Sequence, residues 1–147
     1  MTTNKKKIFV TESMSQPGRA LLHARDDIEL VEFPNMISQK DFEAKLKEHA
    51  PVHGVALGGT RFGEPELEAS QDMLVVTRIG VGFDAVDVPA LSRRKVPLMV
   101  PGTANSPSVA EHALFMMLTL AKRATEMHSL VRDDKWADRL GMLPYDL

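Results

Sequence analysis

The 147-residue chain is 44% hydrophobic and 26% charged, with 18 basic against 20 acidic side chains, the profile of a soluble domain with apolar residues enough for a core. Its net charge of -2 gives no general attraction to nucleic acid or anionic membranes, and no apolar run approaches the ~20 residues of a membrane span. With no cysteine, disulfides, thiolate metal sites and a cysteine nucleophile are excluded, which suits a reducing cytoplasm.

In chain order, Lys5-Lys6-Lys7 reads as a solvated tail ahead of the first apolar run, Ile8-Phe9-Val10. Further strand-length runs follow at Ile28–Phe33, Val55-Ala56-Leu57, Met73–Thr77 and Leu98-Met99-Val100. Ile8–Val10 and Leu74–Val76 are apolar at successive positions, as in strands covered on both faces. The charges of Ile28–Phe33 suit an edge strand. Helices are expected at Pro17–Arg25, Gln39–Glu48, Pro65–Ser70 and Pro89–Arg94, and a long one at Pro107–Val131. Pro17, Pro65, Pro89 and Pro107 can each sit in a first helical turn, where a missing N–H costs nothing. Ser15, Asp87 and Ser106 stand just upstream as cap residues. Five strands alternating with helices give an α/β fold: an open parallel sheet of flavodoxin-like type, with helices on both faces and a long C-terminal connecting helix. At ~1.5 Å per residue that last helix would span roughly 37 Å. Its apolar positions (Val109, Ala113, Leu114, Met117, Leu118, Leu120, Ala121 and Ala124) are broader than one stripe. It packs either against something beyond this chain or within a dimer.

Ligands of such sheets bind beyond the carboxyl ends of the strands, here the loops Thr11–Gln16, Gly58–Gly63, Ile79–Asp84 and Pro101–Ser106. One glycine-bearing turn needs no ligand to explain it. Three on one edge point to a small anion held by main-chain N–H groups. Gly80-Val81-Gly82-Phe83-Asp84-Ala85 matches a dinucleotide fingerprint superficially. However, no long helix opens behind it, and no acidic residue lies about twenty positions on. It is therefore not read as the nucleotide turn, although the N–H groups of Val81 and Gly82 remain available for a carboxylate. His49 and His53 are separated by Pro51, which breaks the helix that would pair them; no metal site is expected. Trp136 reads as a packing residue. A phospho-receiver would need acidic residues where the chain has Thr11-Glu12-Ser13 and Leu57-Gly58-Gly59. A flavodoxin phosphate loop is a poor match to Ser13-Met14-Ser15-Gln16.

Arg78-Ile79-Gly80-Val81-Gly82-Phe83-Asp84-Ala85-Val86-Asp87 resembles the substrate-loop signature of the D-isomer-specific 2-hydroxyacid dehydrogenases, the phosphoglycerate dehydrogenase-like group. Val100-Pro101-Gly102-Thr103-Ala104-Asn105, Ser108–Leu114 and Leu118–Arg123 resemble its next segments. The strong match runs from about Met73 to Arg123, with a looser one back to Ile8.

The resemblance implies a substrate domain, residues 1–105, followed by a long inter-domain helix and the start of a linker, 106–147, toward a Rossmann domain of the same polypeptide that binds NAD or NADP. It implies substrate binding by Arg78, Val81 and Gly82, cofactor contacts from Val81 and Val109, and no metal. The group's catalytic arginine, glutamate and histidine, and the helix that closes its substrate domain, would all lie beyond Tyr145-Asp146-Leu147. A fragment of this kind is expected to be inactive and to bind no cofactor tightly. In the intact cytoplasmic enzyme, a homo-oligomer such as a dimer, hydride would pass between C2 of a 2-hydroxy acid and the nicotinamide. Ser108 with Glu111 reads as a capping box. Where many members carry arginine and serine, this chain has Gly58-Gly59, with Arg61 as an alternative source of charge. The alternative reading is a free-standing, non-catalytic flavodoxin-like binding or interaction module.

Overall fold

The computed structural model describes residues 5–146; the extremes of the expected ranges 1–105 and 106–147, Met1–Asn4 and Leu147, lie outside them. Two compact units divide between Gly102 and Thr103.

The first unit holds β1 (Lys6–Thr11), α1 (Gln16–His23), β2 (Ile28–Phe33), α2 (Gln39–Glu48), β3 (Gly54–Leu57), α3 (Glu64–Ser70), β4 (Val75–Arg78), α4 (Val88–Arg93) and β5 (Leu98–Met99). The strands form one parallel sheet in the order β2-β1-β3-β4-β5, the flavodoxin-like arrangement. β2 is an edge strand, as its charges require. Lys6 and Lys7 belong to β1 rather than to a tail. Lys7 Nζ donates to the His49 carbonyl at 2.6 Å, and pairing with β2 begins at Lys6.

Local chemistry sets the helix ends. Ser38 accepts from Asp41 N at 3.1 Å and Asp87 from Ala90 N at 2.9 Å, so both act as side-chain caps. Ser15 stands at the start of α1 but makes no such bond.

Right-handed crossovers place α2, α3 and α4 on one face of this strand order and α1 on the other. On the three-helix face, Val31, Phe9, Val55, Val76 and Leu98 stand in register across all five strands. With Phe33, Phe42, Leu46, Phe62 and Leu91 they make the core. The α1 face carries the rows Leu30-Ile8-Gly54-Val75 and Glu32-Val10-Ala56-Thr77-Met99. There a single eight-residue crossover helix, packed mainly on β2, serves a sheet of five strands. An apolar groove of about 670 Å³ is left, lined by Ile8, Leu21, Leu22, Gly54, Val75 and Ile79 among others.

His53 precedes β3 and is buried, with Nδ1 accepting the backbone N–H of Lys7 at 3.1 Å. Burial, followed by the charge of Lys6, holds its imidazole below the ordinary value of 6.5. The unfolded chain therefore takes up this proton first as pH falls. The stability tied to neutral His53 is complete above about 6.5 and is lost below it. Melting temperature is expected to fall between pH 7 and pH 5, and His53→Asn, which keeps an acceptor, to flatten that slope. Parallel profiles for the two proteins would contradict this.

In the second unit the expected single long helix is two: α5 (Ser106–Ala121) and α6 (Ala124–Arg132), followed by a 3-10 segment Trp136–Gly141. Arg123 adopts the left-handed conformation, with φ 49 and ψ 41. Lys122 N and Arg123 N close α5 on the carbonyls of Leu118 and Leu120, and Met127 N opens α6 on Arg123 O. Neither proline nor glycine marks the break. The guanidinium of Arg123 grips Glu126 through two bonds of 2.9 and 2.8 Å, which fixes the turn from within α6. The Ser108–Glu111 capping box is not formed either. α5 begins at Ser106 after Asn105, which makes no side-chain cap bond, so Ser108 already lies inside the helix. Val109, Leu114, Phe115, Met116, Met117, Leu118 and Leu120 are all exposed. Trp136 is half-exposed, with the Arg139 guanidinium 4.9 Å from its ring centre. No described helix is long and apolar enough to cross a membrane.

Candidate functional site

The carboxyl ends of β1, β3 and β4 bring three loops together. Parallel pairing aligns Leu57 with Arg78, and Ile79 N donates to Leu57 O at 3.0 Å, so the segments beginning at Gly58 and Ile79 leave the sheet side by side. A Cβ at Gly59 or Gly80 would meet nothing within 4 Å, so the floor of this rim is open.

Within the Ile79–Asp84 loop, Val81 is half-buried and Gly82 exposed. Among the described residues, neither N–H appears in a backbone hydrogen bond. The Gly82 carbonyl is held by Arg78 Nε at 2.9 Å, so Arg78 clasps the loop from its own strand end. Its Nη1 is buried and has no hydrogen-bond partner among the described residues. An unpaired buried guanidinium N–H beside two free peptide N–H groups makes a locally donor-rich corner, which suits an anion.

α4 begins only at Val88 and is six residues long. No helix N-terminus therefore stands behind Gly80-Val81-Gly82 to receive a pyrophosphate, and the nucleotide fingerprint does not fit at this turn. Val109 lies in the first turn of α5 in the second unit and is exposed. Arg78, Val81 and Gly82 thus come together in one loop, while Val109 belongs to the other unit.

Sequence reading passed over Asn35, which follows β2. Its Oδ1 accepts from Gly59 N at 3.2 Å and from the Thr11 hydroxyl at 3.3 Å. Its N–H donates to Glu12 Oε1 at 3.0 Å, and its carbonyl accepts from the Thr60 hydroxyl at 3.3 Å. One asparagine therefore ties together the loops after β1, β2 and β3. Gly58 is buried beneath it: a Cβ there would stand 1.8 Å from Asn35 Oδ1. Pro34-Asn35 looks like an ordinary turn in the sequence, and no local signal links it to a glycine 23 residues away.

Arg61 is exposed and lies on a neighbouring depression of about 810 Å³ with Gln39, Glu64, Glu66, Asp84 and Asp87. Hydrogen bonds from Arg94 and Arg93 hold the Glu64 carboxyl below the usual carboxylate range. No group of three or more metal-ligating side chains occurs among the described residues.

Comparison with known proteins agrees with this architecture. The chain is 28% identical over 132 residues to D-3-phosphoglycerate dehydrogenase of Synechocystis sp., covering 88% of this chain and 23% of that protein. It is 25% identical over 130 residues to D-3-phosphoglycerate dehydrogenase of Archaeoglobus fulgidus, covering 88% and 24%. It thus spans about a quarter of the length of these curated relatives. Among solved structures, D-lactate dehydrogenase from Aquifex aeolicus complexed with NAD and lactic acid superposes with a TM-score of 0.75 at 19% identity, over 95% of this chain and 41% of that one. NAD-bound 3-phosphoglycerate dehydrogenase of Entamoeba histolytica gives 0.68 at 22% identity, over 80% and 40%. A family model, the catalytic domain of the D-isomer specific 2-hydroxyacid dehydrogenases, matches residues 8–137. With most of its length inside that match and a parallel sheet of the corresponding fold, the chain belongs to the D-isomer specific 2-hydroxyacid dehydrogenase family.

Proposed function

We propose that this chain is the substrate-binding part of an NAD- or NADP-dependent oxidoreductase that interconverts a D-2-hydroxy acid and a 2-oxo acid of the phosphoglycerate, glycerate or glyoxylate/hydroxypyruvate type. The carrying observation is the Arg78–Asp84 loop, with its free N–H groups at Val81 and Gly82 and an unpaired Arg78 Nη1. A carboxylate placed on the two amides receives directional donors at no cost in side-chain entropy, because the loop is already clasped through Gly82 O. Fixing the carboxylate fixes the adjacent C2 carbon, which is the positioning such a reaction needs.

The cofactor supplies the hydride acceptor or donor. Val81 and Val109 fit only apolar contacts to it, and the glycine turn does not fit its pyrophosphate. Residues 1–105 form the substrate domain in this reading and 106–147 lead toward the nucleotide-binding domain of the same polypeptide. The proton-transferring groups are supplied from outside these 147 residues. The exposed apolar side chains of α5 support a homo-oligomer, and the composition supports the cytoplasm.

The purified 147-residue chain is therefore expected to oxidise no NADH with glyoxylate or hydroxypyruvate. Titration of the ¹⁵N-labelled chain with D-glycerate is expected to shift the Val81 and Gly82 amides. Turnover by the chain alone, or amides that stay still at saturating acid, would refute the assignment.

A further inference from the structure

We propose that Asn35 is a specificity-determining residue of this site, and that its side-chain Nδ2 receives the distal hydroxyl or oxo oxygen of a small, unphosphorylated 2-hydroxy acid. This rests on the reading of the Arg78–Asp84 loop given above and narrows its substrate class.

Both hydrogen bonds to the Asn35 side chain fall on Oδ1, from Gly59 N and the Thr11 hydroxyl, which leaves Nδ2 with its two N–H donors. Main-chain bonds to Glu12 and Thr60 lock the residue on both sides. It is a preorganised neutral donor rather than a loop side chain free to swing. The neighbouring backbone is open: Gly59, whose N–H Asn35 holds, has no neighbour where a side chain would begin, and neither does Gly80 in the adjacent loop.

A phosphorylated acid would need a fixed cation at this end, ideally a forked guanidinium, and among the described residues no lysine or arginine side chain hydrogen-bonds Asn35. Gly58 is buried under Asn35 with no room for a side chain. Arg19 is spent on the carbonyls of Glu12 and Met14 and on the carboxylate of Glu32. Arg78 gives its Nε to Gly82 and its unpaired Nη1 is the donor already assigned to the substrate carboxylate, while Arg61 lies on a neighbouring depression with Asp84 and Asp87. Among the described residues, the charged group bonded to Asn35 is a carboxylate: Glu12 Oε1 accepts its backbone N–H at 3.0 Å. A phosphate dianion there would meet repulsion, whereas an uncharged oxygen meets only a donor.

The test is a pair of ¹⁵N titrations of the full 147-residue chain, with D-glycerate and with D-3-phosphoglycerate. Glycerate is expected to shift the Asn35 side-chain NH₂ and the Gly59 amide together with Val81 and Gly82, and phosphoglycerate to bind at least about tenfold more weakly. Asn35→Asp keeps the acceptor for Gly59 N and Thr11, so it should fold with an unchanged melting temperature and lose glycerate affinity by about tenfold, the worth of one good hydrogen bond. Asn35→Ala provides a second, uncharged comparison with the same expected loss. If Val81 and Gly82 shift while Asn35 and Gly59 do not, the inference fails and the loop assignment stands. It fails equally if phosphoglycerate binds as well as glycerate or better. If no amide responds to either acid, the loop assignment itself is wrong and this inference goes with it.

Discussion

Replacing Phe42 by alanine is expected to cost about 3–5 kcal/mol of stability, the usual cost of removing a fully buried ring. Phe42 projects from α2 into the core and is wholly inaccessible. Its ring centre lies 4.7 Å from Phe33 and 6.4 Å from both Phe9 and Phe62, so three aromatic partners lose contact at once. These four rings come from β1, β2, α2 and the segment after β3, and the cavity would open where those elements meet. Relaxation is hindered because Phe9 and Phe33 are fixed in a hydrogen-bonded sheet. Phe42→Leu keeps most of the volume and should cost less than half as much. Chemical denaturation measures both. A loss under 1 kcal/mol for the alanine variant would show that the core collapses around the gap, contrary to the packing described.

The second large effect concerns Glu66. It is 1% exposed, in the first turn of α3. Oε2 accepts the N–H of Gly63 at 2.7 Å and Oε1 takes a bond from the Gln39 amide of α2. The carboxyl group therefore satisfies the start of its own helix and also ties α3 to α2. Glu66→Leu would fill the space but strand both donors. The expected loss is about 2–3 kcal/mol, because a buried donor without an acceptor forfeits its desolvation cost. Glu66→Gln retains an acceptor for Gly63 and should lose about 1 kcal/mol, the scale of a single neutral hydrogen bond. Equal stability of Glu66→Leu and wild type would mean that water replaces the carboxyl group. Neither change touches the Arg78–Asp84 loop, so its amide shifts with D-glycerate should persist in the folded fraction.

Much of this was legible without coordinates. Apolar runs of strand length punctuated by Pro and Gly gave the five strands to within a residue or two. The charged residues of Ile28–Phe33 placed β2 at an edge. The Arg78–Asp87 segment carried the family resemblance because its glycines and acidic residues occur in a fixed order along one contiguous stretch. Legibility failed where a feature depends on partners distant in sequence. The break at Arg123 has no proline or glycine to announce it: a non-glycine residue takes the left-handed conformation there and pairs with Glu126 within α6. Ser108-x-x-Glu111 had the letters of a capping box, but the helix starts at Ser106 and leaves the motif without a function. Lys6 and Lys7 looked like a solvated tail because their pairing partners, in β2 and near His49, come more than twenty residues later.

The amino-acid sequence alone determined the alternation of strands and helices and which loops gather at one edge of the sheet, since hydrophobic period and turn chemistry are local properties. The tertiary structure decided that Asn35 lies over Gly58, that Arg78 clasps Gly82, that Glu66 holds Gly63 and Gln39, and that α1 leaves an apolar groove beside it. Each of these is a contact between segments brought together by parallel pairing, where distance along the chain carries no information about distance in space.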